Sequence, residues 1–171
     1  PVRDEDGKLD SLLITILDVT DRREIEAELI RQFSFLQALL DTIPNAIFYK
    51  GADTRFLGCN QAYERFFGID RHQFIGKRVL DLDYIPAEIR EAYQAEDEMV
   101  IAECGKVTRE VQMQDANSRL ADTLYSISGF RSPDGTPGGL IGIIVDISPL
   151  KEAKRTAEKA QAAAEMAAAA K

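Results

Sequence analysis

Residue types that carry catalysis or bind metals are few in this sequence of 171 residues. There are two cysteines, Cys59 and Cys104, and one histidine, His72. Cysteines this far apart, with a single histidine, do not give the ligand spacing of a zinc site. No grouping of serine, histidine and aspartate indicates a nucleophilic enzyme. The sequence therefore predicts no catalytic residue and no metal ligand in this chain.

Two other features, a cysteine and a run of acidic residues, can each be interpreted as a chemical site or as an ordinary structural element. Cys59, at the end of a predicted strand, is either a small buried apolar residue or a pocket thiol that senses redox state or an electrophile. The sequence shows no basic cluster beside Cys59 that would lower the pKa of its thiol. The run Glu96-Asp97-Glu98 has the composition of an acidic site. Successive helical residues diverge by about 100°, however, so we interpret the run as a solvated helix face. His72 is interpreted as a surface residue.

The composition describes a folded protein with an acidic surface. Hydrophobic residues make up 45% of the chain and charged residues 29%. The hydrophobic share is large enough to form a core. The net charge of −8 argues against binding to nucleic acid or to an anionic membrane. The longest apolar stretches, such as residues 138–145, are far shorter than the roughly 20 residues of a membrane span. We expect a cytoplasmic regulatory or binding module with no nucleic-acid partner and no direct membrane contact.

Two segments of the chain resemble each other at a constant shift of 128 positions. Residues 6–20 and 134–148 each combine an Asp-Gly turn, an apolar run, an aspartate, a β-branched residue and a hydroxyl residue. In the first segment, residues 12–18 are predicted to form a strand. We interpret residues 1–20 as the last strand of a preceding copy of the same domain.

The secondary structure predicted between and after these segments is an α+β pattern. Caps, periodicity and turn residues predict the following elements: a helix over 21–42, strands over 46–50 and 55–59, a helix from the cap Asn60 to Gly68, a helix from Pro86 to Glu103 stopped by Gly105, strands over 107–114, 120–130 and 140–147, and a helix over 149–171. Two strands, a block of helices and three strands joined by short turns predict an α+β fold with an antiparallel sheet.

Both flanking helices carry apolar residues at steps of three and four, which is typical of a coiled coil. The first set is Leu29, Phe33, Leu36, Leu40 and Ile43. The second set is Leu150, Ala153, Ala157 and further alanines. Alanine buries little apolar area, so the second seam is the weaker one. We predict a parallel homodimer through these seams.

Several short motifs, in this order, resemble a PAS domain. They are Leu39 to Ile47, Asn60-Gln61-Ala62-Tyr63 with Phe67-Gly68, Phe74-Ile75-Gly76-Lys77, and the closing Asp146-Ile147-Ser148. The resemblance places a PAS domain at residues 43–148, between a linker helix (21–42) and an output helix (149–171). It implies a five-stranded antiparallel sheet of order 2-1-5-4-3 with helices on one face, and a role in signal sensing.

The resemblance also implies a small pocket between the sheet and the helices. Strand alternation and analogy with flavin-binding relatives predict its lining residues: Ile47, Tyr49, Cys59, Tyr63, Val111, Met113, Tyr125, Ile127, Leu140, Gly142 and Ile144. Val79 stands where light-sensing relatives carry a reactive cysteine, and residues 86–104 offer no histidine to hold haem. We therefore expect neither flavin photochemistry nor haem. An unidentified small molecule and a core filled by these side chains both remain open.

Asp146, Ile147 and Ser148 are predicted to relay a signal from the last strand to the output helix, where Ser148 is expected to bond a free backbone donor of the helix. Asp18 and Thr20 are their equivalents in the preceding copy. The resemblance implies a sensory and dimerising piece of a bacterial sensor histidine kinase, of the simple or the hybrid type, with the kinase domain downstream. The alternatives are an interaction module without ligand, the sensor of a diguanylate cyclase, and a cofactor-bearing redox sensor.

Overall fold

A computed structural model describes residues 2–3, 6, 9–11 and 20–169 of the chain. The chain divides into two units, residues 1–36 and 37–171. In the first unit, β1 (Val2–Arg3) pairs antiparallel with β2 (Leu9–Ser11). Helix α1 (Thr20–Thr42) begins in this unit and ends in the second. The strand predicted over 12–18, with Asp18, lies outside the described residues, so the preceding domain copy stays a prediction.

The second unit is built on a five-stranded antiparallel sheet. Its strands are β3 (Ala46–Gly51), β4 (Phe56–Cys59), β5 (Lys106–Gln114), β6 (Leu120–Arg131) and β7 (Pro137–Asp146). They lie in the order β4-β3-β7-β6-β5, which confirms the predicted order 2-1-5-4-3. The first and last strands of the unit are therefore neighbours at its centre.

Helix α2 begins and ends at the residues that the sequence marks, whereas α3 does not end at the predicted glycine. The side chain of Asn60 accepts a hydrogen bond from the Tyr63 amide at the start of α2 (Gln61–Phe67), and Gly68 closes the helix with φ of 67°. Helix α3 covers Ala87–Glu103, and α4 covers Ser148–Ala169. Cys104, with φ of 50°, provides the left-handed residue that ends α3, so the prediction that Gly105 does this is wrong.

Helices α2 and α3, with two short 3₁₀ turns at residues 71–73 and 79–81, pack against one face of the sheet. Aromatic rings fill much of this core: Phe48 lies 5.5 Å from Phe56, and Phe56 meets Phe74 edge-on at 5.2 Å. Gly142 makes room for Phe48, because a Cβ at Gly142 would stand 2.1 Å from the Phe48 ring. The packing therefore needs glycine at this point of β7.

Candidate functional site

A cavity of about 210 Å³ lies between the sheet and the helices of the second unit. It is lined by Phe48, Lys50, Phe56, Tyr63, Phe67, Val79, Tyr84, Ile85, Pro86, Ile89, Tyr93, Gln112, Met113, Gln114, Leu120, Tyr125 and Ile144. A cavity of about 150 Å³ holds benzene, whereas sites for drug-sized ligands have roughly 300–1,000 Å³. The volume therefore suits a molecule of one or two rings.

Seven of the seventeen residues in the cavity wall are aromatic. Tyr63 lies 4.8 Å from Phe67, Phe67 lies 5.3 Å from Tyr84, and Tyr93 lies 5.7 Å from Tyr125, measured between ring centres. The hydroxyls of Tyr63 and Tyr84 are hydrogen-bonded at 3.0 Å. Burial raises the pKa of both phenols. Both hydroxyls are therefore protonated at neutral pH and can donate hydrogen bonds.

Lys50 is the charged residue in the described cavity wall. Its ammonium forms an ion pair with Asp97 of α3, and the two side chains are only 3% and 1% exposed. The ammonium also lies 4.2 Å from the centre of the Phe56 ring, a cation–π contact. Burial lowers the pKa of Lys50 and raises the pKa of Asp97, because it disfavours both charged forms.

Arg109 of β5 forms a second, part-buried ion pair, with Glu96 of α3. The guanidinium lies 5.0 Å from the centre of the Tyr125 ring and 5.5 Å from that of Tyr93. Glu96 and Asp97 thus both face inward, and only Glu98 of the acidic run is exposed. The interpretation of this run as a solvated face is wrong for its first two members, because basic residues on β3 and β5 pair with them.

Asn60 connects the end of α1, the start of β3 and the start of α2. Its Oδ1 accepts hydrogen bonds from the amides of Ile47 (2.9 Å) and Tyr63 (3.1 Å). Its Nδ2 donates to the carbonyls of Leu40 (3.0 Å), Ile43 (3.2 Å) and Asn45 (2.9 Å). The sequence indicated only that Asn60 caps α2. The other partners depend on how the chain segments meet around this fully buried side chain.

The structure brings four of the predicted pocket residues to the cavity wall: Tyr63, Met113, Tyr125 and Ile144. Four others lie in or against the core without lining the cavity: Cys59, Val111, Ile127 and Leu140. Gly142 is covered by the Phe48 ring. The prediction therefore assigned these side chains to the sheet face that the helices cover, but it did not separate those that line the cavity from those that fill the core.

The predicted orientation of β3 is wrong. Phe48 and Lys50 line the cavity, whereas Ile47 and Tyr49 do not. The Tyr49 hydroxyl instead covers Gly58 of β4, where a Cβ would come within 2.2 Å of it. Both faces of β3 are largely covered, so its sequence lacks the alternation of apolar and polar residues that would show which face points inward.

Cys59 is completely buried, beside β3. Burial raises the pKa of its thiol to about 12. The reactive thiolate is therefore scarce at neutral pH. These features support its interpretation as a small apolar core residue.

The three predicted relay residues at the end of β7 are all bonded to their surroundings. Asp146 Oδ1 accepts a hydrogen bond from the Ser148 amide (2.9 Å), so Asp146 caps α4. The Ser148 hydroxyl accepts from the Asp122 amide of β6 (2.9 Å) rather than from α4, which corrects the predicted cap. The Ile147 amide donates to the Asp122 carbonyl (2.8 Å). Thr20, the predicted upstream equivalent, is the first residue of α1.

Sequence reasoning missed the charged side chains around this junction. Arg119, in the β5–β6 hairpin, donates to Asp146 (2.6 Å) and to Asp115 (2.9 Å). Lys151 of α4 pairs with Glu110 of β5 at 2.7 Å. Two ion pairs between residues distant in sequence therefore attach the β5–β6 hairpin to the junction, one at the last residue of β7 and one in the first turn of α4.

The predicted dimer seams lie mostly at the surface of the single chain. Leu29, Phe33, Leu36, Ile43, Leu150, Ala153 and Ala157 are exposed, whereas Leu40 is half-buried. Among the described residues, no group of three or more histidine, cysteine or acidic side chains is placed to hold a metal ion. No helix in the described ranges has the length and hydropathy needed to cross a membrane.

Comparisons with known proteins converge on one fold. A family model described as PAS fold matches residues 40–152. The virulence sensor protein BvgS of Bordetella pertussis is 28% identical over 155 residues, which are 87% of this chain and 12% of BvgS. The aerobic respiration control sensor protein ArcB of Escherichia coli is 28% identical over 130 residues, which are 76% of this chain and 16% of ArcB. The chain therefore spans only a small part of either relative.

Solved structures agree in fold. The PAS domain of Bordetella pertussis BvgS superposes with a TM-score of 0.63 at 21% identity, covering 78% of this chain and 98% of that one. A phage VqmA–DPO complex superposes with a TM-score of 0.61 at 17% identity, covering 80% of this chain and 62% of that one. At such identities the likeness concerns the fold alone.

Proposed function

Because the chain belongs to the PAS fold family, we propose that it is the sensory and dimerising module of a sensor histidine kinase, which binds a small molecule in its cavity and signals through α4. The observation that carries the proposal is the cavity of about 210 Å³, with aromatic walls and one buried ammonium. An apolar cavity with few polar groups is the usual design of a ligand site.

The relatives support the signalling part of this proposal. The chain is a PAS sensor domain related to those of two sensor proteins, BvgS and ArcB. A phage VqmA with the same fold was solved in complex with DPO, so a ligand complex of a protein with this fold is known. The proposal places a kinase domain after α4 in the parent protein.

Filling the cavity tests the ligand-binding role. Ile89→Trp puts a large side chain at the cavity wall, and we expect it to abolish retention of a small molecule by the purified chain in native mass spectrometry. We also expect the parent kinase to lose its response to stimulus while its circular dichroism is unchanged. The matched control is Ile141→Trp, at an exposed position outside the cavity wall. A wild-type chain without any bound molecule, together with normal signalling by Ile89→Trp, would contradict the proposal.

The exposed seam of α1 supports the dimerising role. We expect the double change Phe33→Glu and Leu36→Glu to convert the dimer to a monomer in analytical ultracentrifugation, because it brings like charges together in an apolar seam. The control changes Arg31 and Ala38, both exposed and on the opposite side of α1, to glutamate. An unchanged dimer in the seam variant would show that the seam is wrongly assigned.

The junction between β7 and α4 supports the relay. Asp146→Ala removes both the cap of α4 and the bond from Arg119, at a cost in stability of about 1 kcal/mol. We expect the parent kinase to change its basal autophosphorylation and to lose most of its response, because ligand-bound and ligand-free poses of α4 would differ less in free energy.

The control for the relay is Asp134→Ala. It removes a similar local hydrogen bond, which Asp134 Oδ1 accepts from the Thr136 amide (3.0 Å) in the turn just before β7 begins. That variant should keep normal output. Unchanged basal and stimulated autophosphorylation in a folded Asp146→Ala kinase would refute the relay.

A further inference from the structure

The charges around the cavity are already balanced. Lys50 in the cavity wall pairs with Asp97, and the part-buried Arg109 nearby pairs with Glu96, so each cation has its own carboxylate. A charged ligand held beside the Lys50–Asp97 pair, whose side chains are almost fully buried, would add a charge without a counter-ion at a desolvated position, which is unfavourable. The cavity therefore favours a ligand with no net charge.

The walls favour a flat ligand. Rings from α2 and α3, and from β3 and β6, surround the space, with neighbouring ring centres 4.8–5.7 Å apart at Tyr63–Phe67 and Tyr93–Tyr125. Aromatic groups pack well against such walls in offset or edge-on arrangements. Together with the volume of about 210 Å³, this indicates one or two rings.

The Lys50 ammonium can donate a further hydrogen bond into the cavity. An ammonium has three donor hydrogens. Within the described part of the chain, its hydrogen bond goes to Asp97, and the Phe56 ring takes a further contact. Because Lys50 lines the cavity, a carbonyl or ether oxygen of a ligand could accept from it. A hydrogen bond to a charged group corresponds to roughly tenfold or more in affinity.

We propose that the cavity binds a neutral, planar molecule of one or two rings that accepts a hydrogen bond from Lys50. This inference rests on the proposed function of the cavity as a ligand site and adds the chemical class of the ligand. The class excludes carboxylates and other anions, although the charged residue in the described cavity wall, Lys50, is a cation.

Three probes of similar size separate the effect of a hydrogen-bond acceptor on affinity from the effect of a negative charge. Acetophenone is neutral with an acceptor, ethylbenzene is neutral without one, and benzoate is an anion with acceptors. Binding to the 171-residue chain can be followed by NMR with ¹³C-methyl-labelled methionine. Met113 lines the cavity, whereas Met99 and Met166 are 48% and 75% exposed and serve as internal controls.

We expect acetophenone to shift the Met113 methyl signal with a Kd about tenfold or more below that of ethylbenzene, and benzoate to bind most weakly. Equal binding of acetophenone and ethylbenzene, or tighter binding of benzoate, would overturn the ligand class while leaving the cavity as a ligand site. If no probe shifts Met113 at millimolar concentration, the ligand class and the proposed function both fail.

A variant assigns the effect to Lys50. The double change Lys50→Met and Asp97→Leu removes both charges, so neither is left buried alone. We expect it to bind acetophenone and ethylbenzene equally, whereas the control Tyr49→Phe, outside the cavity wall, keeps the tenfold preference. A preference that survives the double change would show that Lys50 is not the donor. Should the double variant not fold, the three-probe comparison on the wild type still decides the ligand class.

Discussion

Replacing Asp97 by leucine is expected to lower the free energy of unfolding by about 3–5 kcal/mol. The change leaves the Lys50 ammonium almost fully buried without its counter-ion. Domains of this kind are stable by only about 5–15 kcal/mol, so the loss is a large part of the total. Lys50→Met should cost a similar amount, because it leaves the Asp97 carboxylate alone.

The double variant with methionine at position 50 and leucine at position 97 should be far more stable than either single variant. Replacing a buried ion pair by apolar residues of similar volume is often neutral or stabilising. Urea denaturation of the wild type, the two single variants and the double variant gives the coupling energy of the pair. The control is Lys154→Ala, which removes a member of an exposed ion pair on α4 and should change nothing measurable. Strictly additive losses would show that the two charges do not depend on each other.

Asn60→Ala is expected to cost on the order of 4 kcal/mol or to leave the domain loosely folded. It leaves the Ile47 amide without its side-chain acceptor and removes the capping bond to the Tyr63 amide. It also removes the donor to three carbonyls, those of Leu40 in α1 and of Ile43 and Asn45 in the connection to β3. Unsatisfied buried polar groups each cost about 1–3 kcal/mol. Asn60→Asp keeps the shape and both acceptor bonds but turns a carboxylate oxygen towards these carbonyls, so it should be at least as damaging.

Thermal and urea unfolding, with near-ultraviolet circular dichroism as a measure of tertiary packing, test the role of Asn60. Asn117→Ala is the matched control, because Asn117 is exposed in the β5–β6 turn. The control should behave as wild type. A stable, well-packed Asn60→Asp variant would show that the bonds from Nδ2 contribute little to the fold.

The local elements of the second unit were largely predictable, because their signals are short in range. The N-cap at Asn60, the left-handed Gly68 and the hairpin turns all depend on neighbouring residues. The sheet order needed the resemblance to a known family as well, since local patterns do not tell which strands are neighbours. The sequence after residue 20 therefore predicted most of the helices, strands and turns.

Cavity residues were predictable where alternation is clear and unpredictable where both faces are covered. Along β6, buried and less buried residues alternate, and Tyr125 was correctly placed on the inner face. Along β3, Ile47 and Phe48 are both buried, although only Phe48 lines the cavity. Periodicity carries no information about a strand that is enclosed on both sides.

The sequence by itself determined the α+β class, the caps and turns, and the absence of a recognisable catalytic motif, because each follows from residue type and near neighbours. Only the tertiary structure decided that Lys50 and Asp97, 47 positions apart, are buried together beside the cavity. The physical reason is that a charged side chain is stable in a core only when a partner reaches it. A lone lysine in a strand and an acidic run on a helix each indicate solvent exposure until the fold brings them into contact.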